Sequence, residues 1–465
     1  MPHARFVIAT LFLLPAVALA DSASFSAPPL PPEVVFPSKV TIKATDAGAM
    51  PDGATLCTGA IEKAIDQAAA DGGGIVELSP VPHGQGGAGD TVYLTGAIHL
   101  KSNITLRIDA GVTLRFSPDR TLYPLVKTRY ECTDVMNYSP LIYADGCENI
   151  RITGGGTLDG QGQSWWTWAR GKPALQAIAP FTEDRAGKYP LESRVFGEKI
   201  PGLRPCFIES YNCKNVLIEG VTLRESPFWN LHPLYSKNVT VRNVTIFGDG
   251  PNTDGCDPDS CDTVLIDHCT FTTGDDCIAI KSGRDGDGIR RNSPCENITI
   301  RDCTMKGGHG AITMGSETSA GIRHVFAENC AIDGPDSAVR LKSTRGRGGG
   351  IEDVYIRKLN VASTKKVAIT VNMKYSNAPE AAKSETTPVF KDIRIEDFTC
   401  EAAPQAMELI GLPEAPIENV ALSHVSIHAA KGARAEYVTG LSRQEVNIAA
   451  ATGDAWSESH VGDER

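Results

Sequence analysis

One pattern limits what this chain can fold into more than any other: a short alternating segment that keeps returning. It begins as Asn103-Ile-Thr-Leu-Arg-Ile-Asp and Asn149-Ile-Arg-Ile-Thr. Fuller copies are Asn215-Val-Leu-Ile-Glu-Gly-Val-Thr-Leu, Asn238-Val-Thr-Val-Arg-Asn-Val-Thr-Ile and Asn297-Ile-Thr-Ile-Arg-Asp-Cys-Thr-Met. Thr263, His324, Asp353, Asp392 and Asn419 open further copies. Each full copy reads as a strand of period two, a bend, and a second strand of period two. From Asn215 onward the starts lie 23 residues apart at the shortest (Asn215 to Asn238) and 39 at the longest (Asp353 to Asp392). Most intervals are too short for a strand-helix-strand unit. They fit one turn of a right-handed parallel β-helix with insertions at its bends, so the fold class is all-β. A propeller or sandwich would need hairpin turns. The bends here are Glu219-Gly220, Arg242-Asn243, Asp267-His268 and Arg301-Asp302, not the Asn-Gly or Asp-Gly of tight hairpins. An Asn recurring at one bend of successive turns can stack on its neighbours and satisfy local backbone groups.

The ends differ from the repeat. Arg5, the apolar run Phe6 to Leu19 and the small-residue site Ala18-Leu19-Ala20 read as a secretory leader over residues 1–20. The run is too short to span a bilayer. Residues 21–38, rich in Pro, Ser and Ala, read as an extended linker, and 39–465 as the solenoid domain. Thr58 onward places Ile61, Ala64, Ile65 and Ala68 on one helical face, ended by Gly72-Gly73-Gly74. Such a helix can plug the open end of a solenoid. Two segments interrupt the repeat, near 161–206 and 372–387. The first carries Trp165, Trp166 and Trp168 and is expected over one edge of the active face, its tryptophans stacking on a ligand or partner.

Composition narrows the function. A formal net charge of −11 argues against non-specific nucleic-acid binding. The 13 cysteines suit disulfides in an oxidising compartment, but an odd count leaves at least one unpaired. Cys147, Cys213, Cys269, Cys303 and Cys330 recur at matching points of the repeat, which favours stacked core residues. No paired C-x-x-C spacing points to zinc.

The chemistry is concentrated in four islands: Asn252-Thr253-Asp254-Gly255, Gly274-Asp275-Asp276, Gly308-His309-Gly310 and Arg340-Leu341-Lys342. Taken singly, each is ordinary. Asp-rich stretches are turn formers or Ca²⁺ loops, and Arg340 and Lys342 alternate outward as on any strand. Their spacing is not ordinary, because each interval is about one turn of the repeat. Adjacent turns stack about 4.8 Å apart, so the islands should line up on one face. Two carboxylates across a gap suit glycosidic cleavage, one protonating the leaving oxygen and one activating water. Arg and Lys beside them would bind a carboxylated substrate, and His309 could orient the acid. Adjacent Asp275 and Asp276 would face opposite ways on a regular strand, so a bend is expected there.

These islands resemble those of the polygalacturonases, glycoside hydrolase family 28, with Leu341 where the family's Arg-Ile-Lys has Ile. The resemblance covers nearly all of the chain after the leader. It implies a pectin-lyase-like right-handed parallel β-helix and an inverting hydrolase acting on galacturonate polymers. It implies Asp275 as general acid, Asp254 and Asp276 as the pair that activates water, and His309 as support for the acid. Arg340 and Lys342 would bind the substrate carboxylate, with Asn252, Lys281 and Tyr375 as further substrate contacts. Cys277-Ile-Ala-Ile-Lys281 and Ser226 to Pro233 look more like exo-acting members, which attack from the non-reducing end.

The expectation is a monomer with no metal and no cofactor, whose partner is an acidic polysaccharide. It is secreted or periplasmic, free of the membrane once the leader is removed. The rivals are endo action, a rhamnogalacturonan or xylogalacturonan hydrolase, a Ca²⁺-dependent pectate lyase, and a non-catalytic polysaccharide-binding solenoid.

Overall fold

The computed structural model describes residues 25–81, 91–169, 171–375 and 386–462. The proposed leader and residues 376–385 of the second interruption lie outside these.

The repeats coil into a parallel β-helix with the right-handed crossovers that parallel strands adopt. Three faces stack along it. On the first, Lys214–Glu219, Lys237–Arg242, Asp262–Asp267 and Cys295–Arg301 pair in register, so that Val239, Val264, Ile298 and Val325 form one inward column. On the second, Ile246, Phe271, Met305 and Ile332 form another. On the third, Leu231, Cys256, Ile278, Ile312, Val339 and Ile369 do the same. All of these residues are buried. Burying a column of β-branched and aromatic side chains is the main force holding the coil together, at roughly 25 cal/mol per Å² of apolar surface.

The bends explain the polar half of the repeat. Its first residue is left-handed in each turn, with φ between 55° and 63° at Asn215, Asn238, Thr263, Asn297, His324, Asp353, Asp392 and Asn419. Asn tolerates that conformation better than most residues. The amides then hydrogen-bond down the coil. Asn149 donates to Asn103, Asn215 to Asn149 and Asn238 to Asn215, at 2.8–3.0 Å. The mid-repeat bends turn at Gly220, Asn243, His268 and Asp302, also left-handed.

Helix α1 (Thr58–Ala70) buries Ile61, Ala64, Ile65 and Ala68 and packs on strands Val40–Lys43 and Gly74–Leu78 at the first turns. Gly72 and Gly73 end it with positive φ. Residues 25–36 run extended across the first face. Phe25 packs on the rings of His324, Phe326 and Tyr355, and Phe36 lies under Arg151.

All 13 cysteines are buried thiols rather than disulfides. Most are small core residues of the coil, as Cys256 is, while Cys132 and Cys206 pack in a separate cluster under the inserted segment. The tryptophan-bearing segment forms two helices, α2 (Gln163–Trp166) and α3 (Lys172–Thr182). None of its tryptophans lines the cavity formed by Asp254, Asp275 and Asp276. Trp165 is fully buried against Tyr123, Tyr138 and Trp168, and Trp166 Nε1 donates to the Ser226 carbonyl. The apolar bulk that argued for a partner is met inside the chain. A second inserted element, the antiparallel hairpin Leu125–Tyr130/Thr133–Tyr138, was not anticipated from the repeat.

Candidate active site

The four islands meet where the second face turns into the third. The Gly255 N–H donates to the Asp276 carbonyl and the Cys277 N–H to that of Gly310, which sets the acidic islands on adjacent rungs. Thr313 pairs with Arg340 one rung further on. Asp275 and Asp276 lie at a bend between strands Thr270–Thr273 and Ile278–Ile280, so both point outward from the coil. Glycine makes this crowding possible. A Cβ on Gly308 would sit 2.1 Å from the Asp275 carbonyl oxygen, and one on Gly274 would sit 2.2 Å from that of Gly250. On strand Ser337–Lys342, Arg340 and Lys342 alternate with the buried Val339 and Leu341 and so share the outer side.

One cavity of about 350 Å³ is lined by Asn252, Asp254, Asp275, Asp276 and His309. Arg340, Lys342, Lys281 and Tyr375 line it too, so every residue singled out in the sequence reaches it. The volume falls within the roughly 300–1,000 Å³ of sites that enclose small ligands. One carboxylate oxygen from each of Asp254, Asp275 and Asp276 lies within 4.8 Å of the other two.

The three aspartates are held differently. Asp276 accepts from Arg340 Nη1 at 3.1 Å and Lys342 Nζ at 2.8 Å. Burial would raise its carboxyl, but Lys342, Arg340 and Lys281 outweigh burial and hold it down at about 2. Asp254 is buried, and its Oδ1 has no hydrogen-bond partner. Burial, with Asp257 and Asp275 nearby, raises its carboxyl well above the usual range. Asp275 is the most accessible of the trio, its side chain 17% exposed. Its Oδ1 accepts from His309 Nδ1 at 2.9 Å and from the Asp276 N–H at 2.9 Å. Its Oδ2 faces Asn252 Nδ2 at 3.5 Å. The bond to Asp275 raises His309 against the pull of burial, which favours imidazolium. Tyr375 lies beneath both cations, its ring centre 5.6 Å from Arg340 and 5.2 Å from Lys342.

Several residues here escaped the sequence reading. Asp257 is fully buried with both carboxylate oxygens unpartnered, 3.6 Å from Lys281 Nζ. Burial lifts it to about 7, against the pull of Lys281 and His232. Lys281 stands between Asp257 and Glu317, 4.7 Å over the Trp229 ring. At the hairpin tip, Glu131 pairs with Arg284 at 2.7 Å on the cavity wall. Arg194 ties the inserted segment to α4 (Asp285–Arg291) through Asp287 at 2.8 Å. The hairpin borders the cavity through Glu131 and the second interruption through Tyr375, whereas no residue of 161–206 lines it. Nothing in the repeat period marks Asp257, Glu131 or Arg194.

The three aspartates have oxygens close enough to share a cation, as do Cys206, Glu209 and His232. Asp276 already spends both oxygens on Arg340 and Lys342. His232 spends Nδ1 on Glu209 and Cys206, while burial pushes the Cys206 thiol up to about 11. Glu209 Oε1, His232 Nε2 and Asp254 Oδ1 are left without hydrogen-bond partners.

The model of the family described as "Glycosyl hydrolases family 28" matches residues 198–446. The chain belongs to that family. This family 28 glycoside hydrolase is 33% identical over 399 residues to a probable polygalacturonase of Vitis vinifera, covering 84% of this chain and 74% of that one. It is 30% identical to an exo-poly-alpha-D-galacturonosidase of Dickeya chrysanthemi, over 77% of this chain and 61% of that one. Among solved structures it resembles a hyperthermoactive exopolygalacturonase from Thermotoga maritima. The TM-score is 0.81 and the identity 34%, covering 93% of this chain and 95% of that one. Among the described residues of this family 28 member, no helix is long and apolar enough to cross a membrane.

Proposed function

We propose that this hydrolase cleaves α-1,4 bonds between galacturonic acid residues, removing them from the non-reducing end with inversion. The observation that carries the reading is the pairing of an accessible Asp275, held by His309, with an Asp276 pinned between Arg340 and Lys342. The substrate carboxylate would lie against Arg340 and Lys342, Arg through its fork. Asn252, Lys281 and Tyr375 complete the contacts. Asp275 opens toward the cavity, so it protonates the leaving oxygen. Its Oδ1 is occupied twice, so the transferable proton sits on Oδ2.

The state of the other two aspartates supports inversion. A retaining enzyme needs a free anionic nucleophile. Asp276 is ionised but has a cation on each oxygen, and Asp254 is buried and hard to ionise. Water, directed by this pair, is left as the nucleophile, and the proton it loses passes to the ionised Asp276 carboxylate. The oxygens lie closer than the roughly 6.5–9.5 Å between carboxyls that usually accompanies inversion, so the water must sit beside the pair rather than between acid and base. Proton NMR of the first product tests this. β-Galacturonate appearing first supports inversion, and α-galacturonate first overturns it.

Exo action is supported by the named relatives and by the Glu131–Arg284 pair on the cavity wall. A time course of products decides it. Early release of mono- or digalacturonate alone supports exo attack, and a spread of oligomers overturns it. Unchanged rates in chelator, with no ultraviolet absorbance from unsaturated products, would set aside a lyase. The export reading rests on residues 1–20, and mass determination of the mature N-terminus tests it.

A second reading exchanges the roles of Asp254 and Asp275. The raised carboxyl of Asp254 favours it. A galacturonide with a nitrophenolate leaving group separates the two, because it needs little protonation. Whichever Asp→Asn variant regains most activity on it has lost the acid.

A further inference from the structure

Arg204 closes the inserted segment and is 1% exposed. Its guanidinium has three hydrogen-bonded fixed points. Nη1 donates to the Pro227 carbonyl at 3.0 Å and the Pro251 carbonyl at 2.5 Å, and Nη2 donates to Asn252 Oδ1 at 2.6 Å. It also lies over the Phe228 ring, 4.9 Å from its centre. An arginine so held cannot swing away, and it can only donate.

That one-sidedness matters at Asn252. An amide has a donor end and an acceptor end, and the two are nearly the same shape. Arg204 claims the oxygen, so the NH₂ end must turn to Asp275 Oδ2, where it lies at 3.5 Å. Oδ2 is the oxygen left to carry a proton, since Oδ1 already accepts from His309 and from the Asp276 N–H. With the amide reversed, its oxygen would accept that proton and hold it away from the substrate.

We infer that Arg204 is a positioning residue for proton delivery: by fixing the Asn252 amide it keeps the Asp275 proton for the glycosidic oxygen. The inference rests on Asp275 being the acid. It gives the inserted segment a part in the chemistry, since the guanidinium arrives from outside the repeat.

The test uses Arg204→Lys on two substrates, polygalacturonate and a galacturonide with a nitrophenolate leaving group. Acid catalysis supplies about 10²–10⁴-fold, so partial loss of its alignment should cost about tenfold in kcat on polygalacturonate, with KM within about twofold. On the activated substrate the loss should be under about twofold. Equal losses on both substrates, or none, overturn the inference. Asp275→Asn is the control. If it too loses equally on both, the acid assignment falls and the inference with it. If it shows the leaving-group difference and Arg204→Lys does not, only the inference falls. Should Arg204→Lys unfold at the assay temperature, Asn252→Asp is the second variant. It always offers Asp275 an acceptor and, because Asn252 also contacts substrate, should lower both rates, with kcat on polygalacturonate falling about fivefold further than on the activated substrate. Equal loss on both substrates again overturns the idea.

Discussion

His309 Nδ1 lies 2.9 Å from Asp275 Oδ1 across 34 residues of sequence. One turn of the coil brings them together. The contact raises His309 above its ordinary 6.5. A base with a raised value keeps its proton below that value and loses it as pH rises through it. The rate should therefore fall on the alkaline side once His309 becomes neutral. In His309→Gln this alkaline fall should vanish from that region, with the optimum rate down about tenfold. A pH profile of kcat/KM checks both.

Asp275→Asn should lower kcat on polygalacturonate by at least about 10²-fold, the lower end for loss of a general acid. KM should move little, because the substrate carboxylate lies against Arg340 and Lys342. Steady-state kinetics on reduced-end-labelled oligomers measures this.

Lys342→Met removes one of the two cations that touch Asp276, leaving Arg340. A buried charge that loses a partner costs about 3 kcal/mol, so urea unfolding at neutral pH should show a loss of that order. The acid limb should move as well. The lowered Asp276 carboxyl contributes stability above its unfolded value of 3.8 that is lost as pH falls toward 2. With Lys342 gone the folded value rises toward 3.8, so this loss should be smaller and complete at a higher pH.

Asp257 works in the opposite direction. Its carboxyl is raised to about 7 from 3.8. Between those values the unfolded chain releases a proton that the folded chain keeps, so this group costs stability as pH rises from about 4 to about 7. Asp257→Asn should be relatively more stable at pH 7 than at pH 4.5, and the wild type should show the reverse trend at this site. Melting temperatures at the two values decide it.

The Asn column can be dissected at Asn215, where φ is 59° and the amide bridges Asn149 and Asn238. Asn215→Gly keeps the backbone and loses the bonds. Asn215→Ala loses both, so it should cost about 1 kcal/mol more than the glycine variant. Thermal unfolding of the pair gives the difference.

The coil was legible because stacking imposes its period on the sequence. Every inward position recurs, and most left-handed bends carry Asn, Asp, His or Gly at the same place, with Thr263 and Lys358 as exceptions. The gathering of Asp254, Asp275, His309 and Arg340 at one cavity was legible for the same reason, since residues one turn apart become neighbours. What hangs outside the coil follows no period. The hairpin from Leu125 to Tyr138 and helix α3 are locally generic segments placed by their contacts with one another. Arg204 lies between Leu203 and Pro205 with no motif around it, yet it reaches Asn252. Asp257 reads as one more acid in an Asp-rich turn until burial leaves both its oxygens unpartnered. The tryptophans were misjudged because a cluster of large apolar side chains looks alike in sequence whether it faces a ligand or its own neighbours. Trp165 chose Tyr123 and Tyr138.

The segment near Phe25 has an unequal share in the timing of assembly. It is synthesised early, but its seat is made by His324, Phe326 and Tyr355, which are synthesised some three hundred residues later. Phe36, beside Arg151, finds its place much sooner. The beginning of the chain must therefore be fastened down progressively, and its first described residue settles only after most of the spiral is wound.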